Sequence, residues 1–225
     1  MTTIIDNKRK KYHKKTFENI SADKQKKVIE TAVKHFAMFG FDATNINNIA
    51  SDVGISVGSL YNYFASKEDL FLGVVNEGSL LLEKELSKIK EDENILIFFK
   101  EILRLSKDFA LNYPEFNQIY LNLTTQNLSH LSDKLCNKIE YITAEKYKKL
   151  IKISKEKGYI RADLPENEIA FCLDNLVMML QFSFASNYYL ERMRTFLGGD
   201  VDITDDSIIE SIVSFVVNSL TKGIG

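Results

Sequence analysis

Residues 54–70, GISVGSLYNYFASKEDL, gather side chains suited to pressing against a charged surface with a readable edge. If Leu60 and Phe64 turn inward at helical spacing, Val57, Gly58, Ser59, Tyr61, Asn62 and Tyr63 are left outside. Ser59 and Asn62 have the groups to hydrogen-bond base edges in a major groove, and Val57 can touch a thymine methyl. Gly58 lets the backbone approach a partner closely. Tyr61 and Tyr63 offer hydroxyls to phosphate oxygens, and Lys67 adds a positive charge. Helix starts at Thr44-Asn45 and Ser66-Lys67 would turn amide N–H groups toward anions. Phosphate clamps beside a small base-reading edge are the division of labour found in protein–DNA interfaces.

The elements that must position these residues follow from periodicity and caps. From Ser21, the apolar residues Val28, Ile29, Ala32, Phe36 and Phe39 predict a helix that Gly40 stops. Thr44 is the expected N-cap of the next helix, whose stripe is Ile46, Ile49, Ala50 and Val53 and which Gly54 ends. Ser56 caps a third helix. Ser66 caps a fourth, with Asp69 in the place of the usual glutamate of a capping box. Two short helices joined by a glycine turn over 45–64 fit a helix-turn-helix. Beyond Ser66 longer helices are expected over about 67–90 and 93–112, then a short one opened by Pro114. Others are expected over about 129–157, from Pro165 to just before Gly198-Gly199, and over about 205–221 with Thr204 as its cap.

Residues 36–71, FAMFGFDATNINNIASDVGISVGSLYNYFASKEDLF, resemble the DNA-binding domain of the TetR family of bacterial transcriptional regulators. The matching positions are Phe36, Gly40, Phe41, Thr44, Ile49, Ala50, Gly54, Ser56, Gly58, Leu60, Tyr61, Tyr63, Phe64, Ser66, Lys67, Glu68 and Leu70. Ile55 and Val53 depart mildly from the family's usual Val and Ala. The resemblance covers about 50 residues, Lys24 to Phe71; the rest agrees only in length and helical content. It implies an all-α homodimer of about nine helices, with three helices on DNA and the remainder binding a small molecule and dimerising. It implies phosphate contacts for Thr44, Tyr61, Tyr63 and Lys67, and base-facing positions for Val57, Ser59 and Asn62. Lys24, Lys26 and Lys27 at the start of the first helix are further candidate phosphate contacts, and Asn45, Ser56 and Gly58 complete the expected DNA surface.

Composition agrees with one basic end. Residues 1–67 carry 11 Lys/Arg against 6 Asp/Glu, and residues 68–225 carry 18 against 25, so a head of +5 sits on a body of −7. The expected organisation is a flexible basic arm over 1–20, a DNA-binding domain over 21–67 and an effector and dimerisation domain over 68–225. The arm includes KRKKYHKK at 8–15. Two cysteines, Cys136 and Cys172, and three histidines, His13, His35 and His130, show no metal-ligand spacing. No paired carboxylates, phosphate-binding loop or nucleophile elbow is present, so neither catalysis nor a cofactor is expected. The polar, lysine-rich start has no signal-peptide core. The most apolar run, 176–185, is too short to span a bilayer, so a cytosolic location with no membrane partner is expected.

Two later stretches are apolar on nearly every side, 169–184 and 208–220. Such helices must be buried on several faces. Leu173, Val177, Leu180, Phe184, Ile208, Ile212, Phe215 and Val216 are the expected seam of a two-fold dimer, which in turn predicts a palindromic double-stranded operator. The aromatic-rich middle supplies a candidate effector pocket between helices: Phe98, Phe99, Ile102, Phe109, Tyr113, Phe116, Tyr120, Tyr147, Phe171, Asn175, Met178, Met179 and Phe182. No buried basic cluster is evident, which favours a hydrophobic, weakly polar effector. The leading expectation is a ligand-released repressor. An activator, or a helical sensor without specific DNA binding, are the alternatives.

Overall fold

The computed structural model describes residues 11–89, 93–125, 128–199, 202 and 206–221, without the side chains of 125, 129, 130 and 132–142. Among these residues all regular structure is helical. The chain divides into two compact units, residues 1–78 and 79–225, with the division inside one helix. The expected boundary at 67/68 marked where that helix begins.

The first unit contains α1 (Lys15–Glu18), α2 (Ala22–Ala43), α3 (Ile46–Val53), α4 (Val57–Tyr63) and the start of α5 (Lys67–Leu86). Most of the stripe read from the sequence is its core: Val28, Ala32 and Phe36 of α2, Ile49 and Ala50 of α3, and Leu60 of α4 are buried with Phe64, Leu70 and Phe71, whereas Ile29 is half-buried and Phe39, also read into the stripe, is exposed. Phe36 meets Phe71 edge-on at 4.9 Å. Burying each of the larger of these side chains contributes about 1.5–3 kcal/mol. Gly40 sits inside α2 at φ 70° and ψ −179°, so the regular helix breaks there and one further turn leads to Thr44. Gly54 ends α3 in the left-handed region, φ 81°.

Two expectations change here. Thr44 does not cap α3. Its side chain is buried, and its hydroxyl donates to the carbonyls of Gly40 (2.6 Å) and His35 (3.1 Å). Asn45 is the cap, its side-chain oxygen accepting the Asn47 N–H at 2.8 Å. The basic arm is not wholly an arm either: within its described part, α1 buries Phe17 against the rings of Tyr63 and Phe64. An aromatic residue supplies the apolar surface that a purely lysine-rich segment lacks.

The second unit is a bundle of α6 (Ile95–Asn112), α7 (Pro114–Thr125), α8 (Ser129–Glu156), α9 (Glu166–Ser183), α10 (Asn187–Leu197) and α11 (Ser207–Thr221). Its core joins Ile95, Phe99 and Leu103 of α6, Tyr147 and Ile151 of α8, Leu173, Val177 and Leu180 of α9, and Ile209 and Val216 of α11. Ser154, fully buried on α8, accepts the Ile95 N–H at 2.8 Å and donates to the Glu93 carbonyl at 3.0 Å, pinning the start of α6. Lys107 pairs with Asp206, and Lys100 and Arg104 pair with Glu210 on α11. The Lys107 ammonium beside Asp206 holds that carboxyl below the usual range.

The stretch from Pro165 to Gly198 is two helices, not one. α9 ends at Ser183 and α10 leaves at 111°. Apolar periodicity runs on through Leu190 and Met193, so only the Ser186-Asn187 pair, types that favour helix starts, marks the break. With α1 and this division the described helices number eleven rather than about nine. Thr204, the expected cap of the last helix, and Cys136 and His130 as side chains lie outside the described residues. No single helix among the described residues is long and apolar enough to cross a membrane.

Candidate nucleic-acid interface

Ser56 starts α4 by accepting the Ser59 N–H at 3.1 Å, and the two hydroxyls lie 2.8 Å apart. With Leu60 inside, Gly58 and Asn62 are exposed, Tyr61 is 44% exposed, and Val57 and Ser59 are half-buried. A Cβ built on Gly58 would meet only the Ser56 Oγ at 3.9 Å, an ordinary contact. Nothing within the protein therefore requires glycine at 58.

Tyr63 departs from the outward set. It is 8% exposed and its ring lies 5.6 Å from Phe17. Phe64 follows Leu60 by four positions, so α4 and its cap keep one inward face; the docking of α1 draws Tyr63 in as well. Sequence reasoning missed this because a single Phe17 in a basic run carries no periodicity.

The start of α3 is capped by Asn45 in place of Thr44, whereas that of α5 is built as expected. Asn45 sits exposed at the first of these starts. At the second, Ser66 Oγ accepts the Asp69 N–H at 3.0 Å and donates to the Asp69 carboxylate at 2.9 Å. Lys67 donates to the Asp42 carbonyl at 2.9 Å and stands 5.0 Å from the Phe41 ring centroid. Burial pushes the Lys67 ammonium's pKa down, opposed by the Asp42 carboxylate. Lys67 is thus held by the loop it would serve with charge. Thr44, with its hydroxyl committed inward, has only its backbone left to offer a phosphate. Lys24, Lys26 and Lys27 are exposed in the first turns of α2, and Lys26 shares its charge with Glu30 at 3.7 Å.

Of the effector-pocket candidates in the second unit, Phe98, Phe99, Ile102, Phe109, Tyr147 and Phe182 are buried. Tyr113, Phe116, Tyr120, Asn175, Met178 and Met179 are half-buried. Two aromatic pairs tie helices together, Phe98–Tyr147 at 5.8 Å and Tyr120–Phe182 at 5.7 Å, and Phe109 meets Tyr113 at 5.0 Å at the end of α6. Phe171 is excluded from such a pocket, being 70% exposed. Asn175 spends its amide on the Phe171 carbonyl of its own helix at 2.7 Å.

Among the described side chains of this unit, the Tyr147 hydroxyl and the Asn117 Oδ1 stand buried without a partner, as does the Arg194 Nε on α10. The Asn117 amide nitrogen is held by the Gln181 carbonyl at 3.1 Å, which fixes the orientation of the free oxygen. Burial, and secondarily the Asp174 carboxylate, push the Tyr147 phenol's pKa well above its ordinary value, so it stays a neutral donor. Asn117 was missed because its only sequence signal is an amide amid the apolar positions of α7. No group of acids, histidines and cysteines among the described residues is arranged to hold a metal.

The expected dimer seam is largely internal. Leu173, Val177, Leu180, Ile208 and Val216 are buried in the unit's own core, and Phe184 and Ile212 pack against it. These helices are apolar on many sides because they cross the middle of the bundle. Phe215, 66% exposed, is the member of the set that faces solvent, and Phe171 joins it as an exposed aromatic.

Residues 28–74 match the family described as bacterial regulatory proteins, tetR family. The HTH-type transcriptional regulator RutR of Escherichia coli K12 is 28% identical over 123 residues, 55% of this chain and 58% of RutR. The chain thus spans under two thirds of the length of that curated relative. A TetR family regulator from Chloroflexus aurantiacus superposes with a TM-score of 0.74 at 21% identity, covering 94% of this chain and 99% of the other. AibR, solved with isovaleryl coenzyme A and operator DNA, superposes with a TM-score of 0.63 at 16% identity, covering 88% and 98%. Residues 28–74 thus match the tetR family of bacterial regulatory proteins, and the chain has the fold of the TetR family regulator from Chloroflexus aurantiacus.

Proposed function

We propose that the protein is a cytoplasmic, homodimeric transcriptional repressor whose first unit binds a palindromic operator and whose second unit binds a small, largely apolar effector that releases it. The observation that carries the DNA reading is the outer face of α4: an exposed glycine with no internal reason to be glycine, flanked by Val57, Ser59, Tyr61 and Asn62. Helix starts at Asn45 and Ser66 lie on either side of it in the chain. AibR's complex with operator DNA and an acyl thioester supports the pairing of the two ligand types on this fold. The effector reading rests on an aromatic interior with two buried, unpartnered polar groups, Tyr147 and Asn117. Such groups are costly without a partner, and a ligand bearing one or two hydrogen-bonding atoms would supply it.

The test is selection of duplexes from a random pool by the purified protein, followed by fluorescence anisotropy over a range of salt. Enrichment of a palindrome, with binding that weakens steeply as salt rises, is the expected result. Enrichment of no sequence would overturn it.

A further inference from the structure

α4 has seven residues, too few to hold helical structure unaided in water. Ser56 caps its first turn. Its last four carbonyls need partners as well. Leu60 receives the Phe64 N–H at 2.9 Å. The other three all accept from the segment around the start of α1. Tyr61 takes the Lys14 ammonium at 2.7 Å, Asn62 takes the Thr16 hydroxyl, and Tyr63 takes the Lys14 N–H at 2.8 Å. Phe17 seals the joint, its ring 5.0 Å from Phe64. Farther along, Gln25 donates to the Ile20 carbonyl at 3.1 Å, and Lys11 pairs with Glu18 at 2.7 Å. The backbone groups held in this way belong to Tyr61 and Asn62, whose side chains lie on the exposed face of α4, and to the inward-turned Tyr63.

We propose that Lys14, Thr16 and Phe17 form a strap of positioning residues that sets the axial position of α4 and thereby the base discrimination of the operator complex. This rests on the DNA-binding reading above. The ammonium of Lys14 also faces the negative end of the helix, where a cation is favourable. Base reading tolerates little error, because a displaced side chain forfeits its paired hydrogen bonds to a base edge while phosphate attraction survives. The strap should therefore matter more for selectivity than for affinity to DNA in general.

The full-length protein carries the test. Thr16→Val keeps shape and charge but removes the donor to Asn62; Thr16→Ser restores a hydroxyl. Hydrogen exchange of the free proteins is read over residues 57–64, and anisotropy compares the enriched duplex with a scrambled one. For Thr16→Val we expect α4 amides to exchange about fivefold faster while the remainder of the first unit is unchanged. The enriched-to-scrambled affinity ratio should fall about fivefold, with the scrambled affinity and the salt slope unchanged, and Thr16→Ser should match the parent. Lys14→Met combined with Thr16→Val should lower the ratio further. Unchanged α4 exchange in the double variant would overturn the strap, whatever the DNA data. Faster exchange with an unchanged ratio would make it a stabilising contact only, and the proposed role would fall. A parent protein that enriches no sequence would instead sink the DNA reading, and the strap's part in selectivity with it.

Discussion

At the scale of single residues, Gly58, Tyr147 and Thr44 separate function from stability in different ways. Gly58 has room for a methyl group, and alanine is a better helix residue. Gly58→Ala should stabilise the free protein by about 0.5–1 kcal/mol in urea unfolding, yet weaken operator binding. Undiminished DNA affinity would remove the case for α4 as the reading helix. Tyr147→Phe deletes a buried hydroxyl that has no partner. Stability at pH 7 should stay level or rise by about 1 kcal/mol, while effector response is lost. The alkaline behaviour has a definite sign. Tyr147 keeps its proton in the folded state above its ordinary pKa of 10.0, whereas the unfolded chain loses it. Its contribution is complete below pH 10 and declines as pH rises further, so the Phe variant should gain on the parent in denaturant unfolding above pH 10. Thr44→Val should cost about 1–2 kcal/mol, because the Gly40 and His35 carbonyls lose their shared donor. A loss in DNA affinity larger than the loss in stability would assign Thr44 a contact that its inward hydroxyl does not suggest.

At the scale of elements, the junctions carry the arrangement. The break in α2 depends on Gly40, whose φ of 70° with ψ near 180° is a region almost restricted to glycine. Gly40→Ala should destabilise the protein by about 1–3 kcal/mol in thermal or urea unfolding. A neutral outcome would mean that the turn into α3 has an alternative path. The bend between α9 and α10 has a different origin. Apolar positions continue across it, so periodicity predicts one long helix, and only the polar Ser186-Asn187 pair breaks the run. The C-terminal carbonyls of α4 show a third case, since those of Tyr61, Asn62 and Tyr63 are satisfied by residues more than forty positions away. Local pattern predicts caps at helix starts well because Ser, Thr and Asn act on their own following turn. It is blind to caps supplied from afar.

For the whole molecule, Phe171 and Phe215 are among the apolar side chains left exposed after the second unit has packed its own core, together with Tyr188, Phe196 and Leu197 of α10. Phe215→Glu should yield a folded monomer by light scattering, with circular dichroism unchanged and weak binding to a full palindrome. Val216→Glu, one position along, should unfold the bundle instead, because it places a charge in the core. A Phe215→Glu protein that remains dimeric would place the interface elsewhere. The contrast also shows what an apolar-all-round helix means here. The pattern over 169–184 and 208–220 requires burial on several sides, but the partner covering most of those sides is the same chain.

The sequence by itself determined the helical class, the helix-turn-helix, the caps at Ser56 and Ser66 and most of the exposed set on α4. Each depends on residues within a few positions of one another. It also placed the basic charge in the first unit. Tertiary structure alone decided that Thr44 and Tyr63 turn inward, that Lys14 and Thr16 close the far end of α4, and that Asn117 rather than Asn175 is the buried amide with a free oxygen. It likewise separated Leu173, Val177 and Leu180, which are core, from Phe215, which is surface. The physical reason is one of range. Propensity, capping and amphipathic period are local energies written along the chain, whereas burial and the satisfaction of a polar group depend on which distant segment arrives to complete the contact.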